Sequence, residues 1–478
     1  MNSPSSTRTK LVATIGPACE TAETLWPLLD AGIDVCRLNF SHGELSKHGE
    51  VLALIRGWSD RSGRTVSVLG DLCGPKIRLN TVEGGSFALA TGATIRVSRG
   101  TAPCTPSNLT SNYTTLLDEI DVGHRLYIDD GQVRLIVTER DDDAVCQVTV
   151  GGRISSRKGI NLPDTRLTVP AVTEKDRRDA RWAAQHGLDY VALSFVRNPD
   201  DVRTLRAVLA EAGGGPAIIS KIEKVEALEH MDELIGLSDG IMVARGDLGV
   251  EMDAWQVPLI QKSLTARCRA VGRPVIVATQ MLQSMIQSPT PTRAEVSDVA
   301  NAIFDGSDAV MLSAESAAGE FPLAAIEMMK LIANAADAYQ AQSRGLEPVE
   351  TVSVGDRRTA AIARAAVQAA LHLDVRLVAV WTATGESARL LAQHRLPMTV
   401  VGVTSEPSVA RRINLYYGVR PMLVPPFANP GELANQLDRR LLEAGLAKPG
   451  DLIVVVTSTQ PLRPGETDTT LIHRVNAS

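Results

Sequence analysis

The sequence predicts a (β/α)8 barrel that carries two further domains. Eight short apolar runs recur along the chain with helix-like segments between them, and polar or charged residues follow nearly every run. Strands that alternate with helices form parallel sheets, and eight such units close into a barrel. A doubly wound sheet is the alternative fold, but it would not bring all eight strand ends together. The runs cover residues 11–15, 35–40, 66–72, 190–196, 217–222, 241–244, 275–278 and 309–312.

The composition is that of a large enzyme with an aliphatic core. The 478 residues are 44% hydrophobic but only 4% aromatic, and 49 basic against 55 acidic residues give a net charge of −6. An acidic balance argues against nucleic acid or an anionic membrane as the main partner. The six cysteines form no CxxC pair, which favours reduced thiols. Without an apolar signal segment or an 18-residue apolar span, we expect a cytoplasmic protein.

The spacing of strand and helix signals divides the chain into four segments. Residues 8–73 and 171–344 are predicted to form the barrel, 74–170 an inserted β domain, and 345–478 a C-terminal α/β domain. Within 74–170 helical periodicity gives way to short strands, with the turn signal Asp129-Asp130-Gly131 between two of them. Helical periodicity returns at Thr173, a typical N-cap. The insertion is either a lid over the active-site mouth or a decoration of the barrel.

The C-terminal domain contains a turn suited to phosphate. A helix predicted over 359–371 leads to a strand at 377–381, and a second helix is predicted over 388–394. The turn between them holds Thr382, Thr384, Gly385 and Ser387, whose hydroxyl and N–H groups could bind a phosphate at a helix N-terminus. The same residue types also serve simply as helix caps. The chain has no Walker A sequence and no GxGxxG, so a nucleotide must bind by other means.

Charged residues end two apolar runs in the middle of the chain. Lys221 and Glu223 close one run, and Asp247 follows the next. Burying such groups costs several kcal/mol unless they are paired or bind an ion. Two carboxylates and one ammonium therefore indicate a divalent metal beside a developing anion, and the alternative is a structural ion-pair network.

Seven ordered motifs make the chain resemble the pyruvate kinase family. They are KLVATIGP at 10–17, RLNFSHG at 37–43, KGINLP at 158–163, SKIE at 220–223, ARGDLG at 244–249, ATQML at 278–282 and DAVMLS at 308–313. The resemblance implies transfer of the phosphoryl group of phosphoenolpyruvate to ADP, which yields pyruvate and ATP. It also implies a TIM barrel with a small inserted β-barrel domain, a C-terminal effector domain and a homotetramer.

The resemblance assigns roles to the residues at the end of the strands. Glu223 and Asp247 match metal ligands, and carboxylate oxygens suit Mg²⁺ or Mn²⁺. Lys221 matches the lysine that stabilises the transferring phosphoryl group and the enolate. The backbone N–H groups around Gly246 would hold the substrate carboxylate, since a glycine permits close approach. Thr279 matches the residue that contacts the substrate and organises proton transfer to the enolate carbon.

The phosphate contacts implied by the resemblance come mainly from cations. Arg37 matches the arginine on the transferred phosphate, where a planar fork gives two-point contact. Arg78, Lys158 and Asn39 match residues that reach the nucleotide. Taken without the motifs, Arg78 and Lys158 would simply be solvated surface charges.

One position departs from many family members and concerns the monovalent cation. Asn39, Ser41, Asp71 and the carbonyl of Leu72 match K⁺ ligands, but Lys76 stands where many members have glutamate, as in members that do not need K⁺. An ammonium about 5 Å from the site, at an effective dielectric near 20, supplies about 3 kcal/mol. We therefore expect that K⁺ is not required.

The family also places the phosphate of a sugar-phosphate effector at the 382–387 turn. Selectivity would lie in the loop 457–468, where Arg463 could pair with a second phosphate and Glu466 or Asp468 could repel one. Two other function classes compete with a kinase. A barrel aldolase would share the metal carboxylates but would need no lid, Arg78 or Lys158. An inactive sugar-phosphate sensor would need neither Lys221 nor Asp247.

Overall fold

The computed structural model of the protein describes residues 7–342, 357–427, 429–459 and 467–476. In chain order the strands are β1 (Lys10–Ile15), β2 (Val35–Asn39), β3 (Ser67–Asp71), β4 (Ser86–Leu89), β5 (Thr94–Ser98), β6 (Asn108–Thr110), β7 (Arg125–Ile128), β8 (Val133–Arg140), β9 (Ala144–Val150), β10 (Gly152–Ser155), β11 (Ile160–Asn161), β12 (Tyr190–Leu193), β13 (Ala217–Ile222), β14 (Gly240–Ala244), β15 (Val275–Ala278), β16 (Ala309–Leu312), β17 (Leu377–Trp381), β18 (Thr399–Thr404), β19 (Val419–Leu423), β20 (Leu452–Thr457) and β21 (Thr469–Arg474).

The α-helices are α1 (Ala22–Asp30), α2 (Leu45–Ser62), α3 (Leu116–Glu119), α4 (Glu174–Gln185), α5 (Pro199–Glu211), α6 (Glu226–Glu229), α7 (Met231–Leu237), α8 (Arg245–Glu251), α9 (Val257–Ala270), α10 (Arg293–Phe304), α11 (Ala314–Ala317), α12 (Pro322–Gln342), α13 (Arg357–His372), α14 (Glu386–Ala392), α15 (Pro407–Ile413) and α16 (Pro430–Glu443). Short 3-10 turns cover Ala254–Gln256 and Gln283–Ile286.

Eight parallel strands close into the predicted barrel. The order around the barrel is β1, β2, β3, β12, β13, β14, β15 and β16, and β16 pairs with β1 to complete the ring. Each strand lies at one of the eight apolar runs in the sequence, with ends shifted by a few residues at most. Aliphatic side chains such as Val12, Ile219 and Ile276 fill the interior. The barrel prediction is confirmed.

The inserted β domain occupies the connection between β3 and β12. Its strands form a six-stranded sheet in the order β11-β7-β8-β9-β5-β6 and a two-stranded pair, β10-β4, around one apolar core. The predicted turn between β7 and β8 is present, and Asp129, Asp130 and Gly131 all have positive φ. After the insertion, α4 begins where expected, because the Thr173 hydroxyl accepts a hydrogen bond from the Asp176 N–H.

The C-terminal domain is a five-stranded sheet flanked by helices. The strand order is β19-β18-β17-β20-β21, with β21 antiparallel to β20 and the other neighbours parallel. The strand predicted at 377–381 is confirmed, whereas the following helix begins at Glu386, earlier than predicted. The proposed boundary at 344/345 lies outside the described residues, and the four domain limits stay predictions.

The C-terminal domain closes the bottom of the barrel. Leu415 and Tyr416 join the apolar cluster inside the barrel. The Lys10 ammonium donates to the Val419 carbonyl at 2.6 Å, and the Tyr190 hydroxyl donates to the Arg412 carbonyl at 2.5 Å. The amino ends of the strands are therefore covered, and the mouth lies at their carboxyl ends, where barrel enzymes hold their active sites.

The cysteines are reduced, as the sequence predicts. All six are free thiols, and all but Cys73 are buried. Among the described residues, no helix combines the length and apolar character needed to cross a bilayer.

Candidate active site

The side chains at the barrel mouth are organised around a buried carboxylate at the end of β3. Asp71 is almost fully buried, and its Oδ2 accepts a hydrogen bond from Arg37 Nε at 2.7 Å. Its Oδ1 lies 3.3 Å from Lys221 Nζ. Burial raises the pKa of Asp71, but the charges of Lys221 and Arg37 outweigh it and hold that pKa below its usual range. One carboxylate thus fixes two cations that come from different strands.

Lys221 points to the same face of β13 as Glu223, as expected for residues two apart on a strand. Its ammonium lies 2.7 Å from Glu223 Oε1 and donates to Ser194 Oγ at 2.8 Å. Burial lowers the pKa of Lys221, but the carboxylates of Asp71 and Glu223 raise it by more, and the net pKa is above the ordinary value. The ammonium is therefore a fixed positive charge at neutral pH.

Glu223 and Asp247 are the two carboxylates that the sequence matches to a divalent cation. Burial, and next the nearby charge of Asp247, raise the pKa of Glu223 despite its contact with Lys221. Asp247 is exposed at the mouth, but the protein around it limits its solvation by water, and this raises its pKa as well. A cation between the two groups would relieve this repulsion. Two carboxylates suffice for Mg²⁺, which keeps several waters and also binds substrate phosphates.

No group of three or more histidine, cysteine, aspartate or glutamate side chains suited to a metal occurs in the part of the chain that the structure describes. A cation held by the carboxylate pair alone would need further ligands from water or substrate.

Thr279 lies in a strained turn after β15. Thr279 and Gln280 have φ angles of 69° and 53°, a region in which side chains other than glycine are uncommon. The Thr279 hydroxyl accepts a hydrogen bond from the Gly246 N–H at 2.7 Å and donates to the Ala278 carbonyl at 2.6 Å. The strand end and the first turn of α8 are thereby joined at the mouth.

Arg245 holds this turn in place. Its Nη2 donates to the carbonyls of Thr279 at 2.8 Å and Gln280 at 3.2 Å, and its Nη1 donates to Asp298 at 2.7 Å. Strained residues persist only where the surroundings over-determine them, at a cost of about 1–3 kcal/mol each. One planar guanidinium supplies that restraint here.

The cations predicted to contact phosphate lie in two places. Burial lowers the pKa of His42, and the positive charges of Lys76, Arg78 and Arg37 lower it further, so these cations lie near enough to His42 to affect it. Lys158 is paired instead with Asp129 at 2.8 Å within the inserted domain. Arg78 and Gly159, the neighbour of Lys158, are bridged in antiparallel fashion at the base of that domain.

The region matched to a K⁺ site is occupied by protein hydrogen bonds. Asn39 Oδ1 accepts from the Ser41 N–H at 3.1 Å, and the Leu72 carbonyl accepts from the Ser194 hydroxyl at 2.7 Å. Among the described ion pairs, Asp71 is paired with Arg37 and Lys221 and not with Lys76. Lys76 is half-buried, and burial lowers its pKa.

The turn predicted to hold an effector phosphate is compact. The Thr382 hydroxyl accepts from the Gly385 N–H at 2.9 Å, and the Ser387 hydroxyl is 2.8 Å from that of Thr467. Gly385 has a φ of 98°, while Thr384 is exposed to solvent. In the opposing loop, Asp468 accepts hydrogen bonds from Thr459, whereas Arg463 and Glu466 lie outside the described residues.

Two residues at the mouth were not singled out by the sequence analysis. Ser194 directly follows β12 and bonds Lys221 and the Leu72 carbonyl. It lies inside the apolar run predicted over 190–196, and its polarity within that run was the available signal. Arg245 stands inside the quoted ARGDLG motif, but its contacts with Thr279 and Asp298 depend on segments 34 and 53 residues away. No local pattern predicts such contacts.

The comparison with known families agrees with this geometry. The model described as "Pyruvate kinase, barrel domain" matches residues 6–326, and the model described as "Pyruvate kinase, alpha/beta domain" matches residues 360–473. The chain belongs to the pyruvate kinase family. It is a phosphotransferase of class EC 2.7.1.40, which decides between the kinase and lyase interpretations of the mouth.

Curated pyruvate kinases resemble the chain over nearly its whole length. The enzyme of Methylorubrum extorquens is 43% identical over 469 residues, which are 97% of this chain and 96% of the relative. That of Geobacillus stearothermophilus is 40% identical over 473 residues, covering 98% of this chain and 80% of the relative. For Mycobacterium tuberculosis the identity is 39% over 469 residues, or 98% of each chain.

The Arg245 contacts lead to a test of the strained turn. An Arg245→Lys variant keeps the charge but cannot donate to both carbonyls and Asp298 through a planar fork. A displacement of about 1 Å at a reacting group can cost about 100-fold in rate. We expect kcat for pyruvate formation to fall by about 10- to 100-fold, measured by steady-state kinetics. Asp298→Asn, which keeps a hydrogen-bond acceptor, is the matched control, and full activity of Arg245→Lys would contradict the assigned role.

Proposed function

We propose that this chain transfers the phosphoryl group of phosphoenolpyruvate to ADP at the barrel mouth, with Mg²⁺ held by Glu223 and Asp247. The observation that carries the proposal is the position of Lys221. Its ammonium is buried between the carboxylates of Asp71 and Glu223, and the charge of the second candidate ligand, Asp247, also raises its pKa. This places a fixed positive charge where a transferring phosphoryl group and a developing enolate would need one.

The carboxylate pair and the cations divide the work. A divalent cation bound at Glu223 and Asp247 supplies Lewis acidity and a template for the phosphate and enolate oxygens. Lys221 stabilises the negative charge that develops on the transferred group, without any need to change its protonation. Arg37, held by Asp71 Oδ2 and by the Thr14 hydroxyl at 2.9 Å, presents its guanidinium to the same phosphate.

The Gly246 and Thr279 pair binds the substrate carboxylate and guides a proton. In this structure the Gly246 N–H donates a hydrogen bond to the Thr279 hydroxyl. When substrate binds, its carboxylate would replace that hydroxyl as the acceptor. The Thr279 hydroxyl is then free to organise proton transfer to the enolate carbon, which converts the enolate into pyruvate. Because Arg245 fixes the turn, this exchange needs no backbone movement.

The nucleotide enters between the barrel and the inserted domain. Arg78 belongs to the base of that domain, and Asn39 ends β2 on the barrel side. Lys158 lies on the inserted domain and would leave Asp129 to reach a phosphate. Movement of the inserted domain over the mouth would bring these groups to ADP and exclude water.

Removing the Lys221 charge tests the catalytic assignment. In Lys221→Met the aliphatic stem is kept but the ammonium is lost, and we expect kcat to fall by about 10²–10³-fold, by analogy with removed oxyanion donors. The rate of pyruvate formation from phosphoenolpyruvate and ADP with Mg²⁺ measures this. Lys47→Met, at an exposed ion pair with Glu50, is the control. Comparable activity of both variants would refute the role of Lys221.

We also propose that the reaction needs no K⁺. Lys76 follows the left-handed Gly74 shortly after β3, and its charge reaches His42 beside Arg37 and Arg78. A permanent cation at the mouth can replace the field of a monovalent ion. The proposed effect of the Lys76 charge is electrostatic and acts at longer range than an ion pair, because Lys76 is not paired with Asp71 among the described residues.

Assays in K⁺-free buffer test this substitution. We expect full activity of the unaltered chain without K⁺, and a Lys76→Glu variant that loses activity and regains part of it when K⁺ is added. Substituting Lys175, which also lies near Lys76, with Met is a control for a general loss of positive charge. Strong activation of the unaltered chain by K⁺ would sink the proposal.

We infer that a sugar phosphate regulates the enzyme through the turn of Thr382, Thr384, Gly385 and Ser387. The exposed Thr384 offers a hydroxyl to solvent at the start of α14. The turn is also connected to the barrel, because Arg389 Nε donates to Glu386 at 2.9 Å and Arg389 Nη1 donates to the Val271 carbonyl at 3.2 Å. A monophosphate fits better than a bisphosphate, because the acidic Asp468 directly follows Thr467, whose hydroxyl contacts that of Ser387.

A charge introduced at the turn tests this site. We expect glucose 6-phosphate or a related monophosphate to lower the KM for phosphoenolpyruvate of the unaltered chain. A Thr384→Glu variant should lose this response, since like charges repel, while its activity without effector is kept. Thr384→Val is the uncharged control. An unchanged response in Thr384→Glu would show that the phosphate binds elsewhere.

The remaining proposals concern assembly and location. We propose a cytoplasmic homotetramer, as expected for the family. Large apolar side chains of the barrel domain are strongly exposed, among them Trp255 at 69% in a 3-10 turn, Leu259 at 61% on α9 and Leu331 at 63% on α12. Where such side chains form a contiguous patch, they mark an interface between subunits. The mass of the purified chain by light scattering decides between a tetramer and a smaller species.

A further inference from the structure

A buried ion pair outside the reacting groups connects the two candidate metal ligands. Lys224 Nζ lies 2.7 Å from Glu251 Oε1, and both side chains are at most 4% exposed. Lys224 is the residue after Glu223. Glu251 lies one helical turn beyond Asp247 on α8, at the i+4 position that shares its face. The pair therefore ties the segment that carries one metal ligand to the helix that carries the other.

A third group extends the contact to the inserted domain. Asn161, on β11, donates from Nδ2 to the same Glu251 oxygen at 3.1 Å. That oxygen thus accepts hydrogen bonds from two segments, one in the barrel and one in the insertion. Glu251 is close enough to Asp247 for its charge to contribute to the raised pKa of that residue, after the larger effect of burial.

Lys224 is also connected to Glu223 through Phe195. Its ammonium lies 5.8 Å from the centroid of the Phe195 ring, within reach of a cation–π contact. The Phe195 N–H donates to Glu223 Oε2 at 2.9 Å, and Phe195 has a positive φ of 57°. Lys224 thus packs over the residue whose backbone orients the metal carboxylate.

A buried ion pair is a costly way to stabilise a fold. Well-packed apolar residues often do as well or better, so such pairs are retained where they fix a geometry. Glu251 and Lys224 bind no reacting group in the proposed mechanism. Their side-chain contacts join the segment that follows Glu223, the helix that carries Asp247 and the inserted domain.

We propose that Lys224, Glu251 and Asn161 act as positioning residues that set the separation of Glu223 and Asp247 and link it to the position of the inserted domain. The inference rests on the proposed metal role of Glu223 and Asp247. When the inserted domain moves, the hydrogen bond from Asn161 displaces Glu251. Because Glu251 belongs to α8, the helix that carries Asp247 moves with it. Closure over the nucleotide and formation of the metal site then occur together.

Binding of Mn²⁺ to the full chain, followed by electron paramagnetic resonance of the free ion, tests this link without turnover. Loss of groups that orient metal ligands typically weakens metal affinity by about 10- to 100-fold, and we expect that loss for Glu251→Gln. Glu233→Gln, at the exposed ion pair with Arg203, should bind Mn²⁺ like the unaltered chain. Unchanged affinity in a folded Glu251→Gln variant would overturn the proposal.

A second variant covers the case in which Glu251→Gln fails to fold because it leaves Lys224 buried and unpaired. The double substitution Lys224→Met and Glu251→Leu replaces the pair by apolar side chains and should be folded. We expect it to keep a melting temperature near that of the unaltered chain while its Mn²⁺ affinity falls. A folded double variant with unaltered affinity would overturn the proposal.

The link to the inserted domain has its own measurement. Asn161→Ala removes one hydrogen bond and leaves the ion pair, so we expect faster hydrogen exchange in the backbone around β11 and weaker Mn²⁺ binding when ADP is present. No change in either quantity would overturn the coupling. If the unaltered chain binds no Mn²⁺, or Glu223→Gln binds it equally well, the metal assignment itself fails, and this result is distinct from a failure of the positioning role.

Discussion

The buried ammonium of Lys221 is the charge around which the barrel mouth is organised. It lies between the carboxylates of Asp71 and Glu223, and it donates a hydrogen bond to Ser194 Oγ. Each of these partners comes from a different barrel strand or strand end. If the ammonium were absent, the buried carboxylate of Glu223 would lose its cation and Asp71 would keep only Arg37, and a buried charge without its partner costs several kcal/mol. In the proposed mechanism the same charge also stabilises the phosphoryl group, so structural and chemical roles would coincide in one residue.

The two ends of the barrel differ because different domains adjoin them. At the amino ends of the strands, Leu415 and Tyr416 fill the opening, and hydrogen bonds from Lys10 and Tyr190 fasten the C-terminal domain there. At the carboxyl ends, polar contacts such as the hydrogen bond from Asn161 to Glu251 join the inserted domain to the barrel. The mouth is therefore the end at which substrates are proposed to enter.

Polar contacts over long distances in the chain control the geometry of the mouth. Arg245 restrains a turn whose two residues have unfavourable φ angles, and the Lys224–Glu251 pair joins the carriers of Glu223 and Asp247. Neither arrangement contributes much to stability by itself, since strain and desolvation offset the contacts. In the proposed mechanism they position reacting groups, for which a displacement of about 1 Å can cost about 100-fold in rate.

The sequence by itself determined the barrel, the inserted β domain, the C-terminal sheet and the residues at the strand ends. Local signals suffice for these features, because a buried parallel strand needs a continuous apolar run and its carboxyl end needs a polar residue if chemistry is to occur there. Only the tertiary structure decided how those residues are joined. Ser194 meets Lys221 across 27 residues, Arg245 meets Thr279 across 34, and Asn161 meets Glu251 across 90. Hydrogen bonds depend on positions and angles in space, and a one-dimensional pattern does not specify them until the barrel has closed.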